Sequence, residues 1–458
     1  MQAGLAILLL AGASGGGSEA SPTEQLLLER LSRLERRVGE LETRNGSLEQ
    51  QLAAAQAAPV PVPVPLPVPV PAIAAHGPDA FVAADRSSFT FRPHMVFQQD
   101  AAAFFGKRGG YDFKNGALLR HASIWAEGDY GPMSYGIVLD LPNGTVSVTD
   151  AWLRYRLKPD LFVTAGLHKA PFGFQFSNND NFDIFIERSM FGNAAASMGS
   201  GRRVGLSGTF QTDRVTLAGG VFGDNGGLAR TLPGGTMPGD SSGIDGRLAW
   251  RPVLGRKATV SLGLSGYHRE SLRVGGLEDA VRFTDRPNIR VDGGNIADSG
   301  IVTHVKSLDY AGAEAVGILG PVLVSGEYGS AWLRRAPEAD VRFDGYYAMG
   351  SLFLTGEHYR LDRGQLERLR PLAEIGKGGS GALEVTLRYD RIDLSRTPVL
   401  ANAGNRASSI TAGINWYLTP YAKLLVNFIR FEGTNSPLDP VGTKVKADTI
   451  ATRLHVDM

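Results

Sequence analysis

Leu161-Phe-Val-Thr-Ala-Gly-Leu-His-Lys169 alternates along the chain, runs into Ala170-Pro-Phe-Gly173, and leads into a long segment rich in Asn, Asp and aromatic residues that closes on Glu187-Arg-Ser189. A second alternating segment follows, Arg202-Arg-Val-Gly-Leu-Ser-Gly-Thr-Phe210. Period-two alternation puts successive side chains on opposite faces, so both segments read as β-strands. The stretch between them is too long for a hairpin and too rich in apolar and charged residues for a flexible linker. If the two strands belong to a closed barrel, such a loop can fold into the lumen and decide what passes.

Outward from this pair the same period recurs from about residue 88 to the end of the chain, in about sixteen candidate strands. In 381–392, Leu383, Val385, Leu387 and Tyr389 share one face, and Glu384, Thr386, Arg388 and Asp390 the other. A soluble sandwich would show the same pattern. A membrane barrel is favoured by the even count, by strands of about ten residues, and by Tyr or Trp near strand ends (Trp152, Tyr155, Trp250, Tyr267, Trp332, Tyr417, Tyr421), where an aromatic girdle belongs. Connections alternate too. Tight links such as Leu157-Lys-Pro-Asp160 and Leu418-Thr-Pro-Tyr421 face long ones at 100–117, 169–202, 224–242, 270–303 and 433–447. Two links break the rule: Pro142-Asn-Gly144 is short on the long side, and 355–380 is long on the short side, which means either a segment tucked into the lumen or a miscounted strand. The fold expected for 81–458 is an all-β, sixteen-stranded antiparallel transmembrane barrel.

The remaining sequence suits an exported protein. The 458 residues include no Cys and 58 Gly, with a formal charge of +1. No apolar run approaches the roughly 18 residues of a helical span, a limit that does not apply to strands. Residues 1–20 resemble a secretory signal, with the apolar run Leu5 to Ala11 and the small residues Ala11-Gly-Ala13, although Lys or Arg near the start is missing. In 24–56, Leu27, Leu31, Leu34, Val38, Leu41, Asn45, Leu48 and Leu52 form a heptad seam. Arg30, Arg37 and Arg44 at g and Glu35, Glu42 and Glu49 at e point to a parallel oligomeric coiled coil, with dimer and trimer both open. Residues 57–80 contain Pro at every second place from Pro59 to Pro71, a polyproline II spacer.

Val148-Thr-Asp-Ala-Trp-Leu-Arg-Tyr155, Ala165-Gly-Leu-His-Lys-Ala-Pro-Phe-Gly173, Glu187-Arg-Ser189, Gly201-Arg-Arg-Val-Gly205 and Phe353-Leu-Thr-Gly-Glu357 together resemble the phosphate-selective porin O and P family of outer-membrane channels. The resemblance implies a trimeric sixteen-stranded barrel, inward folding of the links 169–202, 270–303 and 355–380, and an arginine ladder leading to a phosphate-binding constriction lined by lysine. Lys169 matches the family's Lys-x-Pro-Phe-Gly position and Arg188 its Glu-Arg-Ser. Selecting an anion requires fixed cations in a narrow lumen, where the field is focused. Arg120, Arg154, Arg156, Arg247, Arg251, Arg388 and Arg453 fall on the lumen face of their strands, while Lys169, Arg188, Arg202 and Arg203 belong to the loop or its base. Each could equally be a solvated charge or anchor the loop through Glu187 or Asp183.

Removing residues 1–76 takes five Arg and seven Glu from totals of 47 and 46, so the body is only slightly basic, and no lysine cluster matches the family's. The chain ends on Met458, where such barrels usually end on an aromatic residue. The eight His show no metal-ligand or protease spacing and no Gly-x-Ser-x-Gly occurs, so neither an enzyme nor a metal or cofactor site is expected. The expected function is passive diffusion of small anions, such as phosphate or polyphosphate, across the outer membrane of a Gram-negative bacterium. The expected partners are further copies of the chain, most simply a trimer, and outer-membrane lipid, with no nucleic acid. The alternative is structural: a periplasmic coiled coil and Pro rod that tether the outer membrane to the cell wall.

Overall fold

The structure is a computed structural model that describes residues 39, 81–82, 89–142, 146–196, 201–223, 241–255, 257–274, 277–395, 405–439 and 444–458. The signal-like segment, the coiled-coil seam and the Pro-rich spacer lie outside the described residues, apart from the helical Gly39.

Sixteen strands form the body. The first eight are β1 (Thr90–Arg108), β2 (Gly116–Tyr130), β3 (Met133–Asp140), β4 (Ser147–Lys158), β5 (Leu161–Lys169), β6 (Arg202–Gln211), β7 (Val215–Phe222) and β8 (Ser242–Leu254). The second eight are β9 (Ala258–Glu270), β10 (Val305–Leu319), β11 (Val322–Arg335), β12 (Val341–Phe353), β13 (Ala382–Asp393), β14 (Arg406–Thr419), β15 (Ala422–Thr434) and β16 (Lys444–Asp457). Each pairs antiparallel with its sequence neighbours, and β1 pairs with β16 from Val96↔Asp457 to Arg108↔Lys446, so the sheet closes. Closure leaves no unpaired edge, which the bilayer interior requires. The two residues Phe81–Val82 add a short rung to the start of β1.

Alternation sorts the side chains as the sequence implies. Leu153, Leu264 and Ile414 are 62%, 60% and 52% exposed on the outer wall, whereas Arg388 and Asp390 on the inner wall are fully buried. An apolar outside over a polar inside is the membrane-barrel arrangement and excludes a soluble sandwich. The aromatic girdle needs correction. Tyr155, Trp250 and Tyr421 are exposed, but Tyr267 and Tyr417 are buried inside, donating to Ala195 O (3.0 Å) and Glu384 Oε2 (3.0 Å). Trp152 also shares the inward parity of Arg154. Strand parity decides which face a residue occupies, and position near a strand end does not.

The 355–380 link leaves the count of sixteen intact and packs inside the barrel. Its Tyr359, Leu361 and Leu366 join Phe174, Ile184 and Phe185 of the 170–201 loop in one apolar cluster. Gln365 Nε2 donates to Ser177 O (2.8 Å), and Leu366 N to Asn178 Oδ1 (2.9 Å). The 271–304 link likewise turns inward. Its Phe283, Ile289 and Ile296 are buried with Phe172, Ile186 and Met190 of the 170–201 loop and with Phe343, Ile429 and Phe431 of the wall. Each fully buried Phe contributes on the order of 2–3 kcal/mol, so the inserted segments are held by a true core.

Candidate functional site

The 170–201 loop leaves the end of β5 and crosses to the opposite wall. Gly173 takes a positive φ of 50°, which turns the chain into the short helix α1 (Phe174–Ser177). The N–H groups of Phe174 and Gln175 then donate to the Glu327 carboxylate of β11 (3.1 and 2.7 Å), which Tyr347 of β12 also donates to (2.7 Å). Farther on, Asn415 Nδ2 donates to Ile184 O (2.7 Å), Lys423 Nζ to Asp183 O (2.8 Å) and Ile186 N to Asn427 Oδ1 (3.0 Å), so β14 and β15 grip the loop's backbone. Ser189 caps α2 (Met190–Ala195) by accepting from Gly192 N, and α2 packs beside Asp285 through Asn193 Nδ2 (3.0 Å). Buried backbone groups need such partners, and Glu327, Asn415, Lys423 and Asn427 of the wall supply them.

Two charge clusters form on this loop. The first surrounds Glu187, which accepts from Arg120 Nε (2.6 Å), Arg290 Nε (3.0 Å) and Arg453 Nη2 (3.2 Å), while its backbone oxygen accepts from Arg388 Nη1 (2.8 Å). Arg453 is shared with Asp100 (2.6 Å) and Arg388 lies 3.4 Å from Asp390. A bulge in β2 at Arg120 turns both Arg120 and His121 toward this cluster, where their side chains meet at 2.8 Å. Burial opposes ionisation of Glu187, but Arg120, Arg290 and Arg453 outweigh it and hold the carboxyl well below its ordinary range.

The second cluster surrounds Asp180. Lys169 Nζ lies 2.5 Å from Asp180 Oδ1, Arg188 pairs with the same oxygen, and Arg202 Nη2 reaches Oδ2 at 3.4 Å while its Nε donates to Asp150 (2.8 Å). The side chains of Lys169, Arg188 and Arg202 keep 21%, 13% and 17% of their exposure. Burial raises the Asp180 carboxyl, yet the three cations prevail and hold it well down. Asp183 behaves differently: burial, with Asp180 beside it, outweighs the opposing charges of Arg188, Lys169 and Lys423 and pushes it up to about 6. Asp285, buried with Arg290 as its partial counter-charge, is pushed up to about 7.

The other sequence candidates have separate fates. Arg247 is buried against Glu314 (3.1 and 2.5 Å), and Arg203 donates to Gly223 O (3.0 Å). Arg251 is consumed by the carbonyls of Thr212 and Asp213 (2.7 and 2.5 Å). Arg154 donates Nε to Thr164 Oγ1 (3.2 Å) and meets no carboxylate among the described residues; the same holds for the exposed Arg156. Sequence reasoning missed Arg290 and the central place of Asp180. Both lie in long links without periodicity, where spacing carries no information about facing residues.

The chain is 28% identical over 397 residues to an uncharacterized protein of Caulobacter vibrioides, covering 83% of this chain and 76% of that one. Among solved structures, the anion-selective porin from Comamonas acidovorans superposes with a TM-score of 0.51 at 14% identity, covering 80% of this chain and 99% of that one. The loop L8 deletion mutant of OmpT, an outer-membrane protein of Vibrio cholerae, superposes with a TM-score of 0.50 at 9% identity over 80% and 99%. Both likenesses support the sixteen-stranded porin fold. Residues 91–458 match the family described as phosphate-selective porin O and P, and the chain belongs to that family of outer-membrane channels.

Proposed function

We propose that this porin passes small anionic solutes, phosphate and polyphosphate among them, by passive diffusion, with the 170–201 loop as its constriction. The carrying observation is the gathering of Lys169, Arg188 and Arg202 on the one carboxylate of Asp180, each keeping part of its surface open. Asp150 also pairs with Arg202 and Asp183 lies 3.9 Å from Arg188, so the support is the partial exposure of three clustered cations in a low-dielectric lumen, where their field is focused. In this reading Arg188 and Arg202 meet the solute beside Lys169, whose ammonium is held by Phe176 O, Asn178 O and Asp180. Arg154 and Arg156, without a carboxylate partner among the described residues, supply charge along the passage. Arg120, Arg203, Arg247 and Arg388 chiefly hold the walls and the loop in place.

The same reading makes the porin a homo-oligomer, a trimer, with its N-terminal stalk in the periplasm. Two features support this: the heptad seam from Leu27 to Leu52, and a low stretch of wall. β3 and β7 have eight residues and β5 nine, against 12 to 15 in β9–β16. A tilted strand needs about 9–11 residues to cross the hydrocarbon, so β3 and β7 fall just short and a neighbouring subunit is their natural cover. In planar bilayers under a KCl gradient the reversal potential should show chloride preference; potassium preference would refute the anion assignment.

A further inference from the structure

The inner wall of β4 and β5 near the short-turn mouth carries a group of side chains that the inward loops do not consume. Trp152 faces glycine on both neighbouring strands, Gly136 on β3 and Gly166 on β5. A Cβ at Gly136 would fall 2.5 Å from the indole, so the ring lies flat against the wall in a space that only glycine leaves. Two residues along the same face, the Arg154 guanidinium sits 5.0 Å from the Trp152 ring centre and 4.2 Å from that of Phe162 on β5. Its Nε is pinned to Thr164 Oγ1, while its two terminal nitrogens make no hydrogen bond among the described residues. Arg156 follows on the same face, exposed and without a described partner. The carboxylate of Glu127, on β2, is engaged by Arg92 (3.8 Å) and His94 (3.5 Å).

A guanidinium held between aromatic rings is oriented, partly dehydrated and free at its forked end. That end matches a carboxylate bidentately, and the flanking rings offer an apolar surface to whatever the carboxylate is attached to. Inorganic phosphate gains the fork but nothing from the rings, and it must shed a tightly bound water shell to approach them. A planar aryl group gains contact with both rings. From this geometry we infer that Trp152, Arg154, Arg156 and Phe162 form a lumen subsite for aromatic monocarboxylates. The inference rests on the reading of the protein as an anion channel and narrows its solute class.

The test uses the full chain in planar bilayers, with block of chloride current by benzoate, acetate or inorganic phosphate added at the short-turn side. Benzoate should reach half-block at a concentration about tenfold below acetate, a gain of the size expected for a stacked aromatic contact. Arg154→Gln and Trp152→Leu should each bring the benzoate-to-acetate ratio toward one, with every variant normalised to its own current. Should either fail to assemble, Phe162→Leu keeps all the charges and must lower the ratio too. Equal half-block by benzoate and acetate, phosphate acting below benzoate, or a ratio unmoved by the assembled variants would overturn the subsite while leaving an anion-preferring pore intact. Potassium preference in the salt gradient would instead overturn the channel reading, and the subsite with it.

Discussion

Glu187 shows how one carboxylate can serve several cations. Arg120, Arg290 and Arg453 all converge on it from different elements, and it is only 6% exposed. Replacing it with Gln would leave buried guanidiniums without their shared counter-charge, a loss of about 3–5 kcal/mol, which denaturant unfolding in detergent would measure. Single-channel recordings of Glu187→Gln should show a noisier, stronger chloride preference, because one negative charge leaves the lumen. A pH effect belongs at this scale as well. Asp183 and Asp285, raised by burial to about 6 and about 7, lie above the 3.8 of an ordinary aspartate. Stability tied to them is therefore complete below about pH 4 and is lost as pH rises through 6 and 7. Over the same window they ionise and make the lumen more negative, so the chloride-to-potassium permeability ratio should fall between pH 5 and pH 8. Asp183→Asn together with Asp285→Asn should flatten that profile.

The inserted loop depends on a few backbone geometries. At Gly173 the φ of 50° favours glycine, and a Cβ there would sit 2.5 Å from Glu327 Oε2, the atom that accepts from Phe174 N. Gly173→Ala should cost about 1–2 kcal/mol from the backbone alone and should also push α1 off β11. The outcomes to measure are a lower unfolding midpoint and a larger, less steady single-channel conductance; unchanged conductance would show that the loop does not limit the current. The 355–380 link adds a second support from the short-turn side, where Arg363 O accepts from Gln211 Nε2 (2.8 Å) and Thr216 Oγ1 (3.0 Å). Arg368 extends it by pairing with Asp457 at the end of β16 (2.7 and 2.5 Å). Three segments that look irregular in sequence thus pack together, since the 170–201 loop shares one apolar cluster with the 271–304 link and another with the 355–380 link.

At the scale of the molecule, closure between β1 and β16 makes the barrel self-sufficient in backbone hydrogen bonds, while β3 and β7, at eight residues each, are the shortest of its strands and lie on one side. Oligomerisation would cover that side, and the heptad stalk would hold the copies in register. Deleting residues 20–76 should lower the mass of the detergent-solubilised assembly, as read by light scattering, while conductance per pore persists. If the mass is unchanged, the barrel wall alone holds the copies together and the seam has another task. Envelope spacing in the same deletion strain tests the tether reading: unchanged spacing would remove it.

The sequence alone determined the strands, their number and which face of each is polar, because a period of two is local and survives without tertiary contacts. The alternation in 381–392 placed Arg388 on the inner wall, and the quoted stretch around Lys169 marked the loop that enters the lumen. Only the tertiary structure decided what those charges do. Arg388 spends one donor on the backbone of Glu187, Arg247 is neutralised by Glu314, and Arg154 alone of the three keeps its forked end unpaired among the described residues. These partners lie far away along the chain and meet only when the sheet closes and the loops pack. A one-residue shift, as the bulge at Arg120 shows, is enough to change which of them face each other. Charge compensation in a barrel is a property of facing residues across the lumen, and no local pattern encodes it.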